Sequence, residues 1–176
     1  KLLCDAGDAV LAPKPGYPLI ESIARLECVD TIEYQLRFDG SWYIDVAELR
    51  ALLDGPQGAR IRALVLINPT IRPGPTSRRG SASSSSACAA SAVSPSSPTR
   101  CSTITRWSRS PAMHGLAGEA GALTFALDGF SKMLAAPHAK VGWIQVSGPE
   151  TDVCEAMRRL DVIADDYLPM SDIIAS

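Results

Sequence analysis

Four residues in this chain have types and settings that could do chemistry: Lys132, Lys140, Tyr17 and Asn68. Lys132 ends the run Leu127-Asp128-Gly129-Phe130-Ser131-Lys132, which follows an apolar strand and precedes a loop holding Pro137. A lysine amine condenses with a carbonyl carbon only when it is neutral, and burial beside a cation lowers its pKa toward that state. Lys140 lies eight residues further on and heads Lys140-Val141-Gly142-Trp143. It carries positive charge without the two-pronged donor set of an arginine. Tyr17 follows Pro15 and Gly16, and its flat face suits stacking on an electron-poor ring. Asn68 follows the apolar run Leu64-Val65-Leu66-Ile67, where an amide side chain commonly turns the backbone. Each residue also has an ordinary reading: a solvated lysine, a polar strand start, a tyrosine packed at a turn and a turn asparagine.

The elements that must position these residues read as alternating strands and helices. Ala9–Ala12 is a short apolar run closed by Pro13, Pro15 and Gly16, a strand entering a turn. Leu19, Ile23 and Leu26 fall at helical spacing. Residues 28–36 read as a strand. Asp45 with Glu48 three residues on forms a capping box, ahead of an apolar face of Val46, Leu49, Leu52 and Leu53. Ala63–Ile67 is a continuous apolar run, as expected of a strand buried on both faces. Two more strands are expected at residues 122–127 and 141–146, joined too closely for a crossover helix and so antiparallel. Ser147 and Glu150 suggest a second capping box, with Val153, Ala156, Met157, Leu160 and Ile163 on one helical face. The pattern is α/β with a mostly parallel central sheet and flanking helices.

Composition narrows the function classes. The length of 176 residues suits one sizeable core. The net charge of −2 gives no reason to expect nucleic acid. Five cysteines, an odd number with no CxxC spacing, argue against a disulfide framework or a zinc site and suggest a reducing cytoplasmic setting. No apolar run approaches bilayer length, so no membrane partner is expected. Residues 70–112 differ from the rest: they hold 13 of the 19 serines and 6 arginines, and no Asp, Glu, Leu, Lys, Phe or Tyr. Composition alone reads as a disordered linker, yet a structureless insert of that length inside a sheet is uncommon. With Trp107 as its one aromatic, the segment is a poor nucleic-acid binder.

Taken in order, Asp5–Leu11 with Pro15-Gly16-Tyr17-Pro18, then Leu64–Pro69, Leu127–Lys132 and Lys140–Trp143 resemble the class I/II aminotransferases, pyridoxal-phosphate (PLP) enzymes of fold type I. The resemblance covers nearly all of residues 1–69 and 114–170. It implies part of the large PLP-binding domain, with Lys132 as Schiff-base lysine, Tyr17 stacked on the coenzyme ring and Lys140 at its phosphate. Asn68 matches the first residue of the family's asparagine motif, not the one that touches the coenzyme. The implied reaction moves an amino group from an amino acid to a 2-oxo acid in a homodimer. The shared motifs do not separate this from a carbon–sulfur lyase of the same fold.

The odd middle segment has an explanation at the level of codons. The family motif written AAC CCC AAC AAT CCG ACC GGG, less one A after the second codon, encodes Asn-Pro-Thr-Ile-Arg-Pro-Gly, the run Asn68–Gly74. The hidden frame from Ser96 to Trp107 is compatible with the family's next motif, Ile-Ser-Asp-Glu-Val-Phe, whose Asp pairs with the ring nitrogen. We read residues 70–112 as frameshifted or disordered, flanked by 1–69 and 113–170 as two parts of the large domain, with 171–176 starting a link to a further domain. The chain then reads as a piece of a longer enzyme, impaired as it stands. A non-catalytic product of a damaged reading frame is the rival expectation.

Overall fold

A computed structural model describes residues 1–39, 42–67, 102–106, 118, 120–130 and 134–167, with backbone only at 102–106. Seven strands form one sheet: β1 (Ala9–Lys14), β2 (Asp30–Phe38), β3 (Trp42–Ile44), β4 (Ile61–Ile67), β5 (Ser102–Arg106), β6 (Thr124–Gly129) and β7 (Gly142–Ser147). Their order is β3-β2-β1-β4-β5-β6-β7. The five from β2 to β6 run parallel, and β3 and β7 are antiparallel to their neighbours at the two edges. Three helices accompany them: α1 (Leu19–Leu26), α2 (Val46–Asp54) and α3 (Glu150–Tyr167).

The sheet is covered on both sides because its inner strands are apolar on both sides. Alternate residues of a strand face opposite ways. Ala9 and Leu11 of β1 join Leu64 and Leu66 of β4, Tyr34 of β2 and Leu49 of α2 in one core. Val10 and Ala63 join Ala24 of α1 and Val29 in another. Tyr34 is fully buried, and its hydroxyl donates to the Val65 carbonyl at 2.8 Å, so the one polar atom it takes inside is satisfied.

Local signals in the sequence are met unevenly. Asp45 caps α2 as expected, its Oδ1 accepting from Ala47 and Glu48 N–H at 3.0 and 3.3 Å. The Glu48 half of that box is different: its carboxylate accepts from Gln35 N–H and faces Arg37 on β2. The second box does not form. Ser147 is the last residue of β7, and its Oγ accepts from Gly118 N–H at 3.2 Å. The helical spacing at Leu19, Ile23 and Leu26 is right, but these side chains are at least half exposed, and the small Ala24 is what lets α1 approach the sheet. The antiparallel β6–β7 pair is as the short connection requires.

Most of residues 70–112 lies outside the described residues, as does the proposed boundary beyond residue 170. Within that segment Ser102–Arg106 forms β5, a central strand between β4 and β6. The linker reading therefore does not hold for these five residues.

Candidate functional site

The register lines up the carboxyl ends of the parallel strands. Leu11 is level with Leu64, which brings Lys14, three residues on, level with Ile67. Ile67 is level with Arg106, Arg106 with Leu127, and Leu127 with Ile144. The chain leaves β1 toward β2 on one side and returns to β4 on the other. The carboxyl ends of β1 and β4 thus flank the point where strand order reverses, the crevice in which open α/β sheets hold ligands.

Tyr17 leaves β1 at this point. Gly16 is required there, because a Cβ would stand 2.1 Å from the Pro13 carbonyl oxygen. The Lys14–Pro15 peptide bond is cis. Tyr17 is 51% exposed and open to a ligand. Asn68 lies outside the described residues, one residue past the end of β4.

Lys132 is also outside the described residues, which resume at Leu134. β6 ends at Gly129, and Phe130 N–H donates to the Val141 carbonyl at 3.0 Å. The Phe130 carbonyl accepts from Leu134 and Ala136 N–H, and the Phe130 ring meets Trp143 edge-on at 5.5 Å. Lys140 is exposed on the returning limb, with φ 53°, a left-handed conformation rare outside glycine. Such outliers concentrate at functional sites. Lys140 therefore lies on the segment that returns from Phe130 to the start of β7.

The chain has four lysines. Lys1 pairs with Glu27 at 2.8 Å, and Lys14 pairs with Glu33 at 2.5 Å. These carboxylates raise both amines above the usual lysine range, chiefly through the hydrogen bond each supplies. Both are held charged and are poor nucleophiles.

Asp128 carries no site role in the sequence reading. It sits on β6, in register with Trp143, on the face shared by Thr124 and Ala126. Its Oδ1 accepts from Gly129 N–H at 2.7 Å, while Oδ2 is buried and without a hydrogen-bond partner. The signal for it was a charged residue closing an otherwise apolar strand. An open groove of about 410 Å³ on the α1 side of β2 is a separate feature. Its lining holds three carboxylates, Glu21, Asp30 and Glu33, against one cation, Arg25, a poor setting for an anion. No group of three or more metal-ligating side chains occurs among the described residues.

Residues 1–70 match the family model described as aminotransferase class I and II. Over 162 residues the chain is 24% identical to the glutamate-pyruvate aminotransferase AlaA of Haemophilus influenzae, covering 92% of this chain and 39% of that protein. Over 65 residues it is 38% identical to glutamate–glyoxylate aminotransferase 1 of Arabidopsis thaliana, covering 36% of this chain and 14% of that one. Among solved structures, the alanine aminotransferase from Pyrococcus furiosus superposes with TM-score 0.78 at 19% identity, over 95% of this chain and 41% of that one. The tyrosine aminotransferase from Leishmania infantum gives 0.73 at 21% identity, over 90% and 39%. The fold is thus shared with these aminotransferases, and the chain spans about two fifths of the length of the relatives it matches along most of its own.

Proposed function

We propose that this chain, whose residues 1–70 match the class I and II aminotransferase model, is part of a PLP-dependent transaminase moving an amino group from an amino acid to a 2-oxo acid. The observation that carries the reading is the alignment of strand ends: Tyr17 and the closed loop of positions 132 and 140 follow strands whose carboxyl ends lie in register. The residues present fit the coenzyme. An exposed aromatic and an exposed cation match a flat ring and a phosphate. One fold neighbour, an aminotransferase from Clostridium difficile, was solved with PLP bound.

Bound PLP supplies an aldehyde carbon and an electron-withdrawing ring. Lys132 would hold that carbon through its Nζ and, once an amino acid has displaced it, would take the proton from the substrate's α carbon and deliver it to the coenzyme's former aldehyde carbon. The resemblance assigns Lys132 as nucleophile and Lys140 as phosphate anchor, while Lys1 and Lys14 are ion-paired elsewhere. Tyr17 stacks on the ring, and Asn68 turns the chain at the end of β4. The parent enzyme is proposed to be a cytoplasmic homodimer without nucleic-acid or membrane partners. Residues 1–69 and 113–170 are proposed as the two parts of its large domain.

A specific observation keeps a second reading in view. Residues 70–112 hold no carboxylate, so the chain as it stands is proposed to bind coenzyme better than it turns over. Adding PLP should produce a visible absorbance band that is lost in Lys132→Ala. A band of equal size in that variant would defeat the assignment. Products then separate the chemistries: a new amino acid with a keto acid for transfer, ammonia with a thiol for carbon–sulfur cleavage.

A further inference from the structure

We propose that Trp143 is a positioning residue for Lys140, a role that rests on the PLP reading above, in which Lys140 anchors the phosphate. The β6–β7 pair ends on a rung with no side chains. Gly129 and Gly142 stand opposite each other, so the cross-strand packing that stabilises antiparallel pairs is missing there. Close backbone approach demands both glycines. A Cβ on Gly129 would stand 2.9 Å from the Val141 oxygen, and one on Gly142 would stand 3.1 Å from the Asp128 oxygen. Side chains bridge this end diagonally instead. Phe130 donates its N–H to Val141, and its ring meets the ring of Trp143, two residues further along β7, with centroids 5.5 Å apart. An aromatic laid across a glycine at a sheet edge is one of the devices that pin strand register.

Lys140 depends on that join. Its φ of 53° lies in the left-handed region, where a residue with a Cβ stays only if its surroundings impose the conformation. Lysine lacks the short polar side chain by which Asn and Asp tolerate the region. The constraint therefore comes from the neighbours. On one side Ala139 N–H donates to the Ala136 carbonyl at 3.2 Å. On the other, the Val141 carbonyl accepts from Phe130 N–H at 3.0 Å, and Trp143 holds the ring of that same Phe130. The residue after Lys140 is thus fixed by a backbone bond that the aromatic pair keeps in register. Lys140 itself is exposed. A fixed backbone limits where its amine can go, and a loop ordered in advance leaves less ordering for the ligand to impose.

The test compares PLP with pyridoxal, the same ring without its phosphate, with binding read by absorbance. Damage common to both ligands cancels in the ratio of their affinities. The unaltered chain should prefer PLP by about tenfold or more, the range for a hydrogen bond to a charged group. Trp143→Leu keeps apolar bulk without the ring and should cut that preference by about threefold or more. Trp143→Phe keeps an aromatic ring and should hold the preference within about twofold. In a Lys140→Ala background Trp143→Leu should leave the ratio unmoved, because a residue acting through another then has nothing to position. A preference undiminished in Trp143→Leu, a Trp143→Phe protein as weak as Trp143→Leu, or an equal loss in the Lys140→Ala background overturns the role of Trp143 alone. An unaltered chain that binds PLP and pyridoxal alike overturns Lys140 as anchor and the role of Trp143 with it. No binding of either ligand to the unaltered chain overturns the PLP reading itself.

Discussion

Phe130 donates its backbone N–H to the Val141 carbonyl at 3.0 Å, so the loop that carries positions 132 and 140 leaves and re-enters the sheet at one point. The same join fixes Gly129. A Cβ there would stand 2.9 Å from the Val141 oxygen, which is backbone and cannot swing aside. Gly129→Ala should therefore cost about 1–3 kcal/mol, as overpacking does. It should also weaken PLP binding, because the loop must shift. Urea unfolding and a PLP titration check this. Unchanged stability would mean that the loop is not clamped here.

Lys140 is proposed to hold the phosphate as a point charge. An arginine matches phosphate with two parallel N–H donors. Lys140→Arg should bind PLP several-fold more tightly, and Lys140→Ala about tenfold or more weakly. Pyridoxal, which lacks the phosphate, should bind all three proteins alike. Equal losses for PLP and pyridoxal in Lys140→Ala would assign Lys140 a structural role instead.

Cys28 occupies a position shaped for glycine. It follows α1 with φ 57°. Its N–H donates to Arg25 O at 3.2 Å, and Val29 N–H donates to Ala24 O at 2.9 Å. This bond pair is the Schellman motif, whose left-handed residue is usually glycine. Cys28→Gly should stabilise the chain by about 1 kcal/mol, the relief of a left-handed non-glycine residue. A fall in the unfolding midpoint would show that the Cys28 side chain makes contacts that outweigh the strain.

Asp8 ties the amino ends of β1 and β4 together. Its carboxylate accepts from Asp5 N–H at 2.9 Å and pairs with Arg62 at 3.1 Å. Asp5's N–H first, and the Arg62 guanidinium after it, hold the Asp8 carboxyl below the usual carboxylate range. A folded pKa below the unfolded one means a contribution present above about pH 4. That contribution is lost as pH falls through the folded value. The unaltered chain should be more stable than Asp8→Asn at neutral pH, with the gap closing under acid. Denaturant melts of both proteins from pH 7 to pH 2 test the sign. A gap independent of pH would remove the carboxylate from the account.

Much of the fold is legible in the sequence because burial on two faces leaves a plain trace. Ala63–Ile67 is apolar throughout, and β4 is correspondingly buried from Ala63 to Leu66. The short path from β6 to β7 permits only an antiparallel pair, and that is what forms. Capping is less legible, because it depends on where a strand ends. Ser147 has the right type and spacing for an N-cap but is still in β7, with its hydroxyl turned to Gly118. Apolar spacing on α1 identified the helix but not its buried face, since Ala24 rather than Leu19, Ile23 or Leu26 meets the sheet. Asp128 escaped notice because its distinction is an unmet hydrogen bond, a fact of three dimensions. Tyr17 and Lys140 are described at the expected end of the sheet, whereas Asn68 and Lys132 lie outside the described residues.

The central claim concerns which of four lysines bonds to the coenzyme. PLP is added to the chain, the product is fixed with borohydride, and the labelled peptide is mapped by mass spectrometry. The account predicts the phosphopyridoxyl group on Lys132, with Lys1 and Lys14 kept unreactive by Glu27 and Glu33. A label on Lys14 or Lys140 in place of Lys132, or no label at all, would contradict it.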